Sequence, residues 1–376
     1  MNPLPDPWSF AFSSPTRIVF GDGTLSRASA AIPFDGPLLI VTGKSSALRS
    51  GHLDRLLAAL HPRKTAVFSG ISPNPRVHEV LLAAEIGRQI NASAVIGLGG
   101  GSALDAAKAT AAALAGANLS QLLLTDSPAP ATTLPIIAIP TTAGTGSETS
   151  QAAILTDESS ALKQGLRGPA LTPHTAIVDP ELTLSLPDNI AAETGFDVFT
   201  HALESWVSSR ASALTAFYSE FAIRTVLSQL PLLLNDRANP ALRRAMSLAS
   251  LLMGWNLANA STCLPHRLQY PVGQRTDSSH PGGLAALYPA WMRRAAPLAP
   301  TPFSCIASLL GAASHLDAPD AVASWMHSIG MARHLHQFGL SSTDIPALTA
   351  AVRGNLATDP CDHSPDALAA IYSESL

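Results

Sequence analysis

The feature that most constrains how this chain can fold is a regular alternation of short apolar runs with helical patterns over its first 180 residues. Apolar runs predict strands at residues 37–42, 65–68, 94–97 and 135–140. Apolar residues at helical spacing predict helices at residues 52–60, 77–90 and 103–115. Strands that alternate with helices in this way form a parallel, doubly wound sheet. The first part of the chain is therefore predicted to be an α/β domain with a parallel sheet.

Beyond about residue 180 the strand signals become scarce and long helical patterns take over. They predict helices at residues 190–208, 212–235, 239–260, 282–297 and 302–314. A strand that ends at Val178 marks the change. A chain of 376 residues is long enough for two domains. We therefore expect an α/β domain over residues 1–180 and an all-helical domain over residues 181–376, with a surface loop at residues 126–133.

The composition excludes several classes of protein. With 47% hydrophobic and 13% charged residues, the chain has ample apolar material for buried cores and too little charge for a disordered protein. A net charge of -4 does not favour nucleic acid or an anionic membrane surface. The longest apolar region, residues 103–124, is interrupted by Asp105 and Lys108, so no membrane span is predicted. We expect no nucleic-acid or membrane partner.

The cysteines and the first residues favour a cytoplasmic protein. Cys263, Cys305 and Cys361 are far apart and form no C-x-x-C pair, so neither a disulfide framework nor a thiolate metal site is expected. Isolated cysteines of this kind are typical of a reducing compartment. The first twelve residues contain Asp6 and no basic residue before a short apolar stretch, which does not match a secretory signal.

A glycine-rich turn follows the third predicted strand, where the sequence GLGGGS covers residues 97–102. Backbone amides and the N-terminus of the next helix can receive a phosphate there, and glycine lets the backbone approach it closely. A tight strand-to-helix turn also favours glycine, so this segment alone does not distinguish the two interpretations. The candidate cofactor-binding residues are Gly99, Gly100, Gly101 and Ser102.

A second loop rich in hydroxyl groups follows the fourth predicted strand. The sequence PTTAGTGSE at residues 140–148 offers Thr141, Thr142, Thr145 and Ser147 as neutral hydrogen-bond donors. Two such loops at the carboxyl ends of strands suit a dinucleotide that lies across the switch point of a parallel sheet. The pair of loops therefore favours a dinucleotide-binding domain over plain surface turns.

Asp197 and His201 are four residues apart in a helical segment, so their side chains share one helix face, with their Cβ atoms roughly 5–6 Å apart. This pair can bind a metal, but it is also common as a simple carboxylate–imidazole contact. His266 and His280 are further possible ligands, on a stretch that prolines and a Pro-Gly-Gly turn are expected to interrupt. Spacing alone does not select them from the 12 histidines of the chain.

Five motifs in this order resemble the iron-containing (group III) alcohol dehydrogenase family, which shares its fold with dehydroquinate synthase. They are GLGGGSALDAAK at 97–108, IPTTAGTGSE at 139–148, AIVDPELTLSLP at 176–187, TGFDVFTHALESWVS at 194–208, and PHRLQYPVG followed by HPGG at 265–283. The resemblance covers nearly the whole chain. It implies a nucleotide-binding α/β domain followed by a helical metal-binding domain.

The resemblance implies that one catalytic metal is held by Asp197, His201, His266 and His280. One carboxylate and three imidazoles can bind Fe²⁺ or Zn²⁺ and leave a position for a substrate oxygen. The expected activity is hydride transfer between a nicotinamide cofactor and an alcohol or aldehyde whose oxygen the metal polarises. The family also leads us to expect a homodimer or larger homo-oligomer.

The chain departs from the family at Tyr270, where many members have a second histidine four residues after the third ligand. A tyrosine, with a pKa near 10, relays protons less readily than imidazole at neutral pH. Tyr270 is a candidate catalytic-site residue that could shape the pocket, and a packing role is an equal alternative.

The end of the first predicted strand favours NADP(H) over NAD(H). An acidic residue there would repel a 2′-phosphate, but this chain has Gly43, Lys44 and Ser45 instead. The segment is similar to family members that use NADP, although Lys44 could also be a solvated loop lysine. The resemblance places Asp105 and Lys163 near the cofactor. Lys108 is a further candidate cation for a phosphate.

Three alternative functions remain open from the sequence. One is a dehydroquinate-synthase-like lyase on the same fold. A second is a maleylacetate-type reductase, which would need arginines in its pocket, such as Arg167 or Arg267. The third is a catalytically silent protein that binds a metal or a nucleotide.

Overall fold

The computed structural model describes residues 7–125, 130–160 and 162–376, and within these the chain divides into two compact units. The first, called here the sheet unit, contains Ser14–Leu186 and Ala238–Ala258. The second, called the helical unit, contains residues 7–13, Pro187–Arg237 and Asn259–Leu376. The sequence predicted a single boundary near residue 180. In the structure, residues 7–13 group with the helical unit and residues 238–258 group with the sheet unit. Part of the predicted loop, residues 126–129, lies outside the described residues.

The sheet unit is built on six parallel strands. They are β1 (Arg17–Phe20), β2 (Leu38–Gly43), β3 (Thr65–Ile71), β4 (Ala94–Gly99), β5 (Ile136–Pro140) and β8 (Thr175–Val178), in the spatial order β1-β8-β5-β4-β2-β3. An antiparallel hairpin of β6 (Ala152–Asp157) and β7 (Leu162–Arg167) stands apart from this sheet. The predicted parallel sheet is confirmed, while β1 and the hairpin were not predicted.

Both faces of the parallel sheet are buried, as the continuous apolar runs of its strands require. Because successive side chains of a strand point to opposite faces, neighbouring residues of β2 enter two different cores. Leu39 and Val41 pack with Val95 in one apolar cluster, while Leu38 and Ile40 pack in the other. This double burial fixes the register of the central strands, whose carboxyl ends carry the two predicted cofactor loops.

The helices account for most of the remaining chain. The first six are α1 (Ala28–Ala31), α2 (Ser46–Arg49), α3 (His52–Leu60), α4 (Val77–Gln89), α5 (Gly101–Leu114) and α6 (Leu119–Leu123). The others are α7 (Asp188–Val207), α8 (Ala213–Asn235), α9 (Pro240–Asn259), α10 (Leu264–Thr276), α11 (His280–Ala295), α12 (Pro300–Leu310), α13 (Ala318–Ser328), α14 (Ile345–Ala351) and α15 (Pro365–Glu374). In the described part of the chain, none of them is both long and apolar enough to cross a membrane.

The stretch around His266 and His280 was expected to be interrupted by prolines, and this expectation was wrong. Pro265 lies in the first turn of α10, and Pro281 lies in the first turn of α11. A helix has no partner for its first backbone N–H groups, so proline starts a helix without losing a hydrogen bond. The predicted Pro-Gly-Gly turn is therefore the beginning of α11, where the hydroxyl of Ser279 accepts a hydrogen bond from the Gly282 amide at 3.2 Å.

Helix α9 packs against the threonine-rich loop through two glycines. A Cβ added to Gly254 would overlap the carbonyl oxygen of Gly146 and the hydroxyl of Thr149. Gly146 has a φ of +61°, which glycine adopts without strain. The Thr149 hydroxyl also donates to the Leu251 carbonyl at 2.9 Å. This close approach explains why residues 238–258 belong to the sheet unit.

We expect Gly254→Ala to destabilise the protein, since the added methyl group meets backbone atoms that cannot rotate away. Overpacking typically costs 1–3 kcal/mol, and a backbone clash should place this variant at or above the upper end, about 3 kcal/mol. The melting temperature measures the effect. Gly43→Ala is the control, because its Cβ would make only ordinary contacts of 3.7 Å. Equal melting temperatures for the two variants would contradict this packing.

Candidate metal centre and dinucleotide loops

Four potential metal ligands converge inside the helical unit. Asp197 and His201 lie on α7, His266 lies on α10, and His280 is the first residue of α11. One ligand atom from each residue lies within 4.8 Å of all the others. The Nε2 atoms of His201 and His280 are 3.6 Å and 3.8 Å from Oδ1 of Asp197. The i, i+4 spacing on α7 and the two proline-started helices thus bring together the four residues that the resemblance selected.

The chemistry of this cluster fits a divalent cation. Asp197 is 1% exposed, and its Oδ1 is buried without a hydrogen-bond partner. A buried carboxylate is costly unless a donor or a cation compensates it. Burial raises the pKa of Asp197, and the neighbouring His201 partly opposes that rise. A cation held between one carboxylate and three imidazoles would supply the missing compensation, with the mixed oxygen and nitrogen ligands that Fe²⁺ and Zn²⁺ accept.

Glu204 supports the cluster and was missed by the sequence analysis. It is completely buried on α7, and its carboxylate accepts hydrogen bonds from Nδ1 of His266 and the backbone amide of Cys263, both at 2.8 Å. A proton on Nδ1 leaves Nε2 of His266 with the lone pair that a metal needs. Glu204 follows Asp197 by seven residues, which puts both on one helix face. That spacing is the signal that could have identified it.

Tyr270 lies on α10, one turn beyond His266, and is half-buried. The guanidinium carbon of Arg267 lies 5.9 Å from the centre of its ring, within the range of a cation–π contact. Arg267 itself is 3% exposed and donates hydrogen bonds to the hydroxyls of Thr262 and Ser261. Because this guanidinium is engaged in the loop before α10, it does not support the maleylacetate-type alternative.

In the sheet unit, the glycine-rich turn and the threonine-rich loop contact each other directly. Strand β4 ends at Gly99, and its carbonyl accepts a hydrogen bond from the Thr141 amide at 2.9 Å. A Cβ on Gly100 would lie 3.2 Å from the methyl group of Thr142, and one on Gly101 would lie 2.5 Å from that of Thr145. The glycines are therefore needed for close packing between the two loops.

Asp105 braces the same two loops. Its Oδ1 accepts a hydrogen bond from the Ser147 hydroxyl at 2.6 Å, and its Oδ2 accepts one from the Ile154 amide at 2.9 Å. The carboxylate thereby ties α5 to the C-terminal end of the threonine-rich loop and to strand β6. This position gives Asp105 a structural role next to the predicted cofactor residues.

Lys108 does not offer a free charge to a phosphate, contrary to our expectation. It is completely buried, and its ammonium donates to the Ser150 carbonyl at 3.0 Å, the Ser150 hydroxyl at 3.1 Å and the Ala152 carbonyl at 2.8 Å. Burial lowers the pKa of Lys108 to about 8. Three well-placed acceptors satisfy the ammonium, so this lysine joins α5 to the chain that enters β6.

The loop between β3 and α4, residues 72–76, contacts several predicted cofactor residues. The hydroxyl of Ser102 donates to the Pro73 carbonyl, and the ammonium of Lys163 donates to Oδ1 of Asn74 at 2.9 Å. The ammonium of Lys44 lies 3.7 Å from Glu79, which follows this loop. This loop was not predicted from the sequence, although its Pro-Asn-Pro triplet at 73–75 is a recognisable turn signal.

Gly43, Lys44 and Ser45 lie at the carboxyl end of β2, as predicted. Gly43 is the last residue of the strand, and Ser45 precedes the short helix α2. The Lys44 side chain is 64% exposed, so its ammonium remains open to solvent even though it lies near the buried Glu79 carboxylate. The Glu79 carboxylate is already hydrogen-bonded to the Ser72 amide and hydroxyl.

Comparisons with known proteins identify the family. Residues 15–180 match the iron-containing alcohol dehydrogenase family, and residues 191–376 match its C-terminal domain. The 1-propanol dehydrogenase PduQ of Salmonella typhimurium is 36% identical over 277 residues, which cover 73% of this chain and 70% of that protein. The chain belongs to the iron-containing alcohol dehydrogenase family, and the predicted family is confirmed.

Solved structures agree with this assignment. The alcohol dehydrogenase ADH/D1 of a halo-thermophilic archaeon from a Red Sea brine pool aligns with a TM-score of 0.92 and 27% identity, covering 98% of this chain and 99% of that one. The sulfoacetaldehyde reductase of Bifidobacterium kashiwanohense, in complex with NAD⁺, aligns with a TM-score of 0.86 and 29% identity, covering 97% and 98%. The chain is thus an enzyme of the NAD(P)-dependent alcohol dehydrogenase and aldehyde reductase class.

The buried Glu148 at the end of the threonine-rich loop predicts a pH-dependent stability. Burial raises the pKa of Glu148 to about 7, while its own backbone amide and Lys108 oppose the rise. Between about pH 4.5 and 7 the folded state therefore keeps a proton that the unfolded state has released. The native protein should lose stability as the pH rises through this window, by an amount on the order of 1–3 kcal/mol.

We expect Glu148→Gln to remove this pH dependence, because glutamine does not titrate. The melting temperature of the variant, relative to that of the native protein, should be higher at pH 7.5 than at pH 5. Glu85→Gln serves as the control, since Glu85 is an exposed carboxylate on α4. A melting-temperature difference that is the same at both pH values would argue against a raised pKa at Glu148.

Proposed function

We propose that the protein is a metal-dependent, NADP(H)-preferring alcohol dehydrogenase or aldehyde reductase whose single catalytic metal is held by Asp197, His201, His266 and His280. The observation that carries this proposal is the convergence of one buried carboxylate and three imidazoles around a common point. The substrate is a small alcohol or aldehyde, in keeping with the names of the relatives. In the direction of reduction, an aldehyde, NADPH and a proton give an alcohol and NADP⁺.

Each residue of the proposed centre has a distinct task. Asp197 supplies the only negative charge among the four ligands, and the imidazoles supply neutral nitrogen ligands. Glu204 holds His266 in the tautomer that directs Nε2 into the cluster. When bound, Fe²⁺ or Zn²⁺ would polarise the substrate oxygen, which makes the carbonyl carbon a better hydride acceptor.

The dinucleotide is assigned to the loops at the carboxyl ends of the strands of the sheet unit. Gly99, Gly100, Gly101 and Ser102 would approach the pyrophosphate, with the N-terminus of α5 behind them. Thr141, Thr142 and Thr145 would donate hydroxyl hydrogen bonds. Ser147 was expected to do the same, but its hydroxyl donates to Asp105, and this contact keeps the loop in place. Lys163 is oriented by Asn74 and adds a positive charge nearby. The nicotinamide carries the hydride.

The preference for NADP(H) rests on Gly43, Lys44 and Ser45. No acidic side chain occupies these three positions, and the exposed ammonium of Lys44 can reach a phosphate group. Tyr270 is proposed to line the substrate side of the centre, with Arg267 against its ring. The homo-oligomeric assembly and the cytoplasmic location expected from the sequence stay predictions.

The metal assignment predicts the effect of His266→Ala on activity. With Fe²⁺ or Zn²⁺ and a panel of short aldehydes, the native protein should oxidise NADPH, and the variant should lose at least 100-fold in kcat/KM, roughly the loss of one essential catalytic group. Absorbance of NADPH measures the rate. His334→Ala, an exposed histidine outside the cluster, is the matched control. Equal activity of native protein and His266→Ala would rule out this centre.

The cofactor assignment predicts a switch at the end of β2. We expect Lys44→Ala to lower kcat/KM for NADPH about 10- to 100-fold, because a charge-assisted hydrogen bond is lost, and to leave kcat/KM for NADH unchanged. Gly43→Asp should favour NADH, since its carboxylate repels a 2′-phosphate and accepts from a ribose hydroxyl. Lys64→Ala, at an exposed lysine, is the control. A native protein that prefers NADH would refute the preference and leave the dehydrogenase assignment intact.

A further inference from the structure

The ring of His280 is held by Gln269, a side chain with no role in the function proposed above. His280 is the most exposed of the four cluster residues, with 29% of its side chain accessible. Its Nδ1 lies 2.7 Å from Oε1 of Gln269, which is on α10 one turn after His266. Gln269 is completely buried. The two side chains therefore form a partly buried hydrogen bond next to the other proposed metal ligands.

This hydrogen bond fixes which nitrogen of His280 carries the proton. An amide oxygen can only accept, so Nδ1 must be the protonated nitrogen that donates to it. Nε2 then holds the lone pair, and Nε2 is the atom that lies 3.8 Å from Oδ1 of Asp197. A ligand histidine usually has its second nitrogen held in this way, because the contact sets both the tautomer and the ring orientation.

The amide nitrogen of Gln269 lowers the stability of the folded protein at this position. Its Nε2 is buried and has no hydrogen-bond partner. Buried donors are nearly always satisfied in folded proteins, and an unsatisfied one costs stability. An apolar side chain of the same length would fill the space without that cost. The hydrogen bond that Oε1 of Gln269 accepts from His280 explains why an amide is present here.

Gly283, in the first turn of α11, provides the space for this amide. A Cβ at that position would lie 3.0 Å from both Cγ and Nε2 of Gln269. Any larger residue would press on the glutamine and move it relative to His280, which begins the same helix. Gly283 and Gln269 are thus matched to each other across the contact between α10 and α11.

We propose that Gln269 is a positioning residue of the metal centre, which orients the ring of His280 and selects the tautomer whose Nε2 faces Asp197, and that Gly283 provides the room it needs. This inference rests on the proposed function, because it assumes that the cluster binds a metal. His266 is held by the carboxylate of Glu204, whereas His280 is held by a neutral amide. In both cases a side-chain oxygen lies at hydrogen-bonding distance from Nδ1 of the ring.

The test compares binding of Zn²⁺ to the full-length protein and to two variants at Gln269. Competition with a chromophoric chelator gives the dissociation constant, and the melting temperature is measured with and without Zn²⁺. Gln269→Met keeps the length of the side chain and removes the acceptor, so it should weaken binding roughly 10- to 100-fold. Its metal-free melting temperature should be no lower than that of the native protein, while the rise on adding Zn²⁺ becomes smaller. Gln269→Glu keeps the acceptor and should bind at least as tightly as the native protein.

Two further variants keep the test decisive. Gly283→Ala leaves Gln269 in place but crowds it, and should also weaken Zn²⁺ binding. Gln229→Met, at a partly exposed glutamine of α8, should change nothing. The role of Gln269 would be overturned if Gln269→Met bound Zn²⁺ as tightly as the native protein, or if Gln269→Met and Gln269→Glu lost Zn²⁺ affinity equally. Either result would leave the proposed metal centre intact. If the native protein bound Zn²⁺ no better than His266→Ala, the proposed centre would fail, and this inference with it.

Discussion

The carboxylate of Asp197 lies in the interior of the helical unit, and the arrangement around it depends on how that charge is compensated. Its Oδ1 has no hydrogen-bond partner, and the Nε2 atoms of His201 and His280 lie 3.6 Å and 3.8 Å from it. A neutral imidazole that points its lone pair at a carboxylate does not stabilise it, whereas a cation between them attracts both. The cluster therefore has the chemistry of a cation site. A cation bound there would link α7, α10 and α11 through the four ligand side chains.

Side chains behind the four cluster residues form hydrogen bonds that hold those residues in place. The side chains of Glu204 and Gln269 each form a hydrogen bond to Nδ1 of one imidazole, His266 and His280 respectively. In the sheet unit, Asp105 holds Ser147 of the threonine-rich loop, and Lys108 holds Ser150 just beyond that loop. In both units, polar groups behind the proposed ligand-binding residues hold those residues in position.

The sequence predicted the regular parts of the fold well, because their signals are local. Helix α3 begins and ends where its apolar spacing indicates, and the central strands are continuous apolar runs. The hairpin of β6 and β7 was missed, since its strands mix polar and apolar residues. Helix α10 was missed because prolines were taken as interruptions rather than as a helix start and a tolerated interior residue.

The site was harder to predict, because its geometry depends on contacts between distant segments. Spacing could have identified Glu204, seven residues after Asp197, but nothing local links His266 to His280 or shows that Gln269 contacts the latter. Only the resemblance selected those two histidines from 12. The role expected of Lys108 was wrong because a sequence does not show that a lysine is buried and satisfied by three acceptors.

The most direct measurement is X-ray diffraction from crystals of the protein grown with Fe²⁺ or Zn²⁺, at the absorption edge of the metal. We expect one anomalous peak in the helical unit, roughly 2.0–2.2 Å from a carboxylate oxygen of Asp197 and from Nε2 of His201, His266 and His280. A peak elsewhere, or a metal that contacts only some of these four residues, would contradict it.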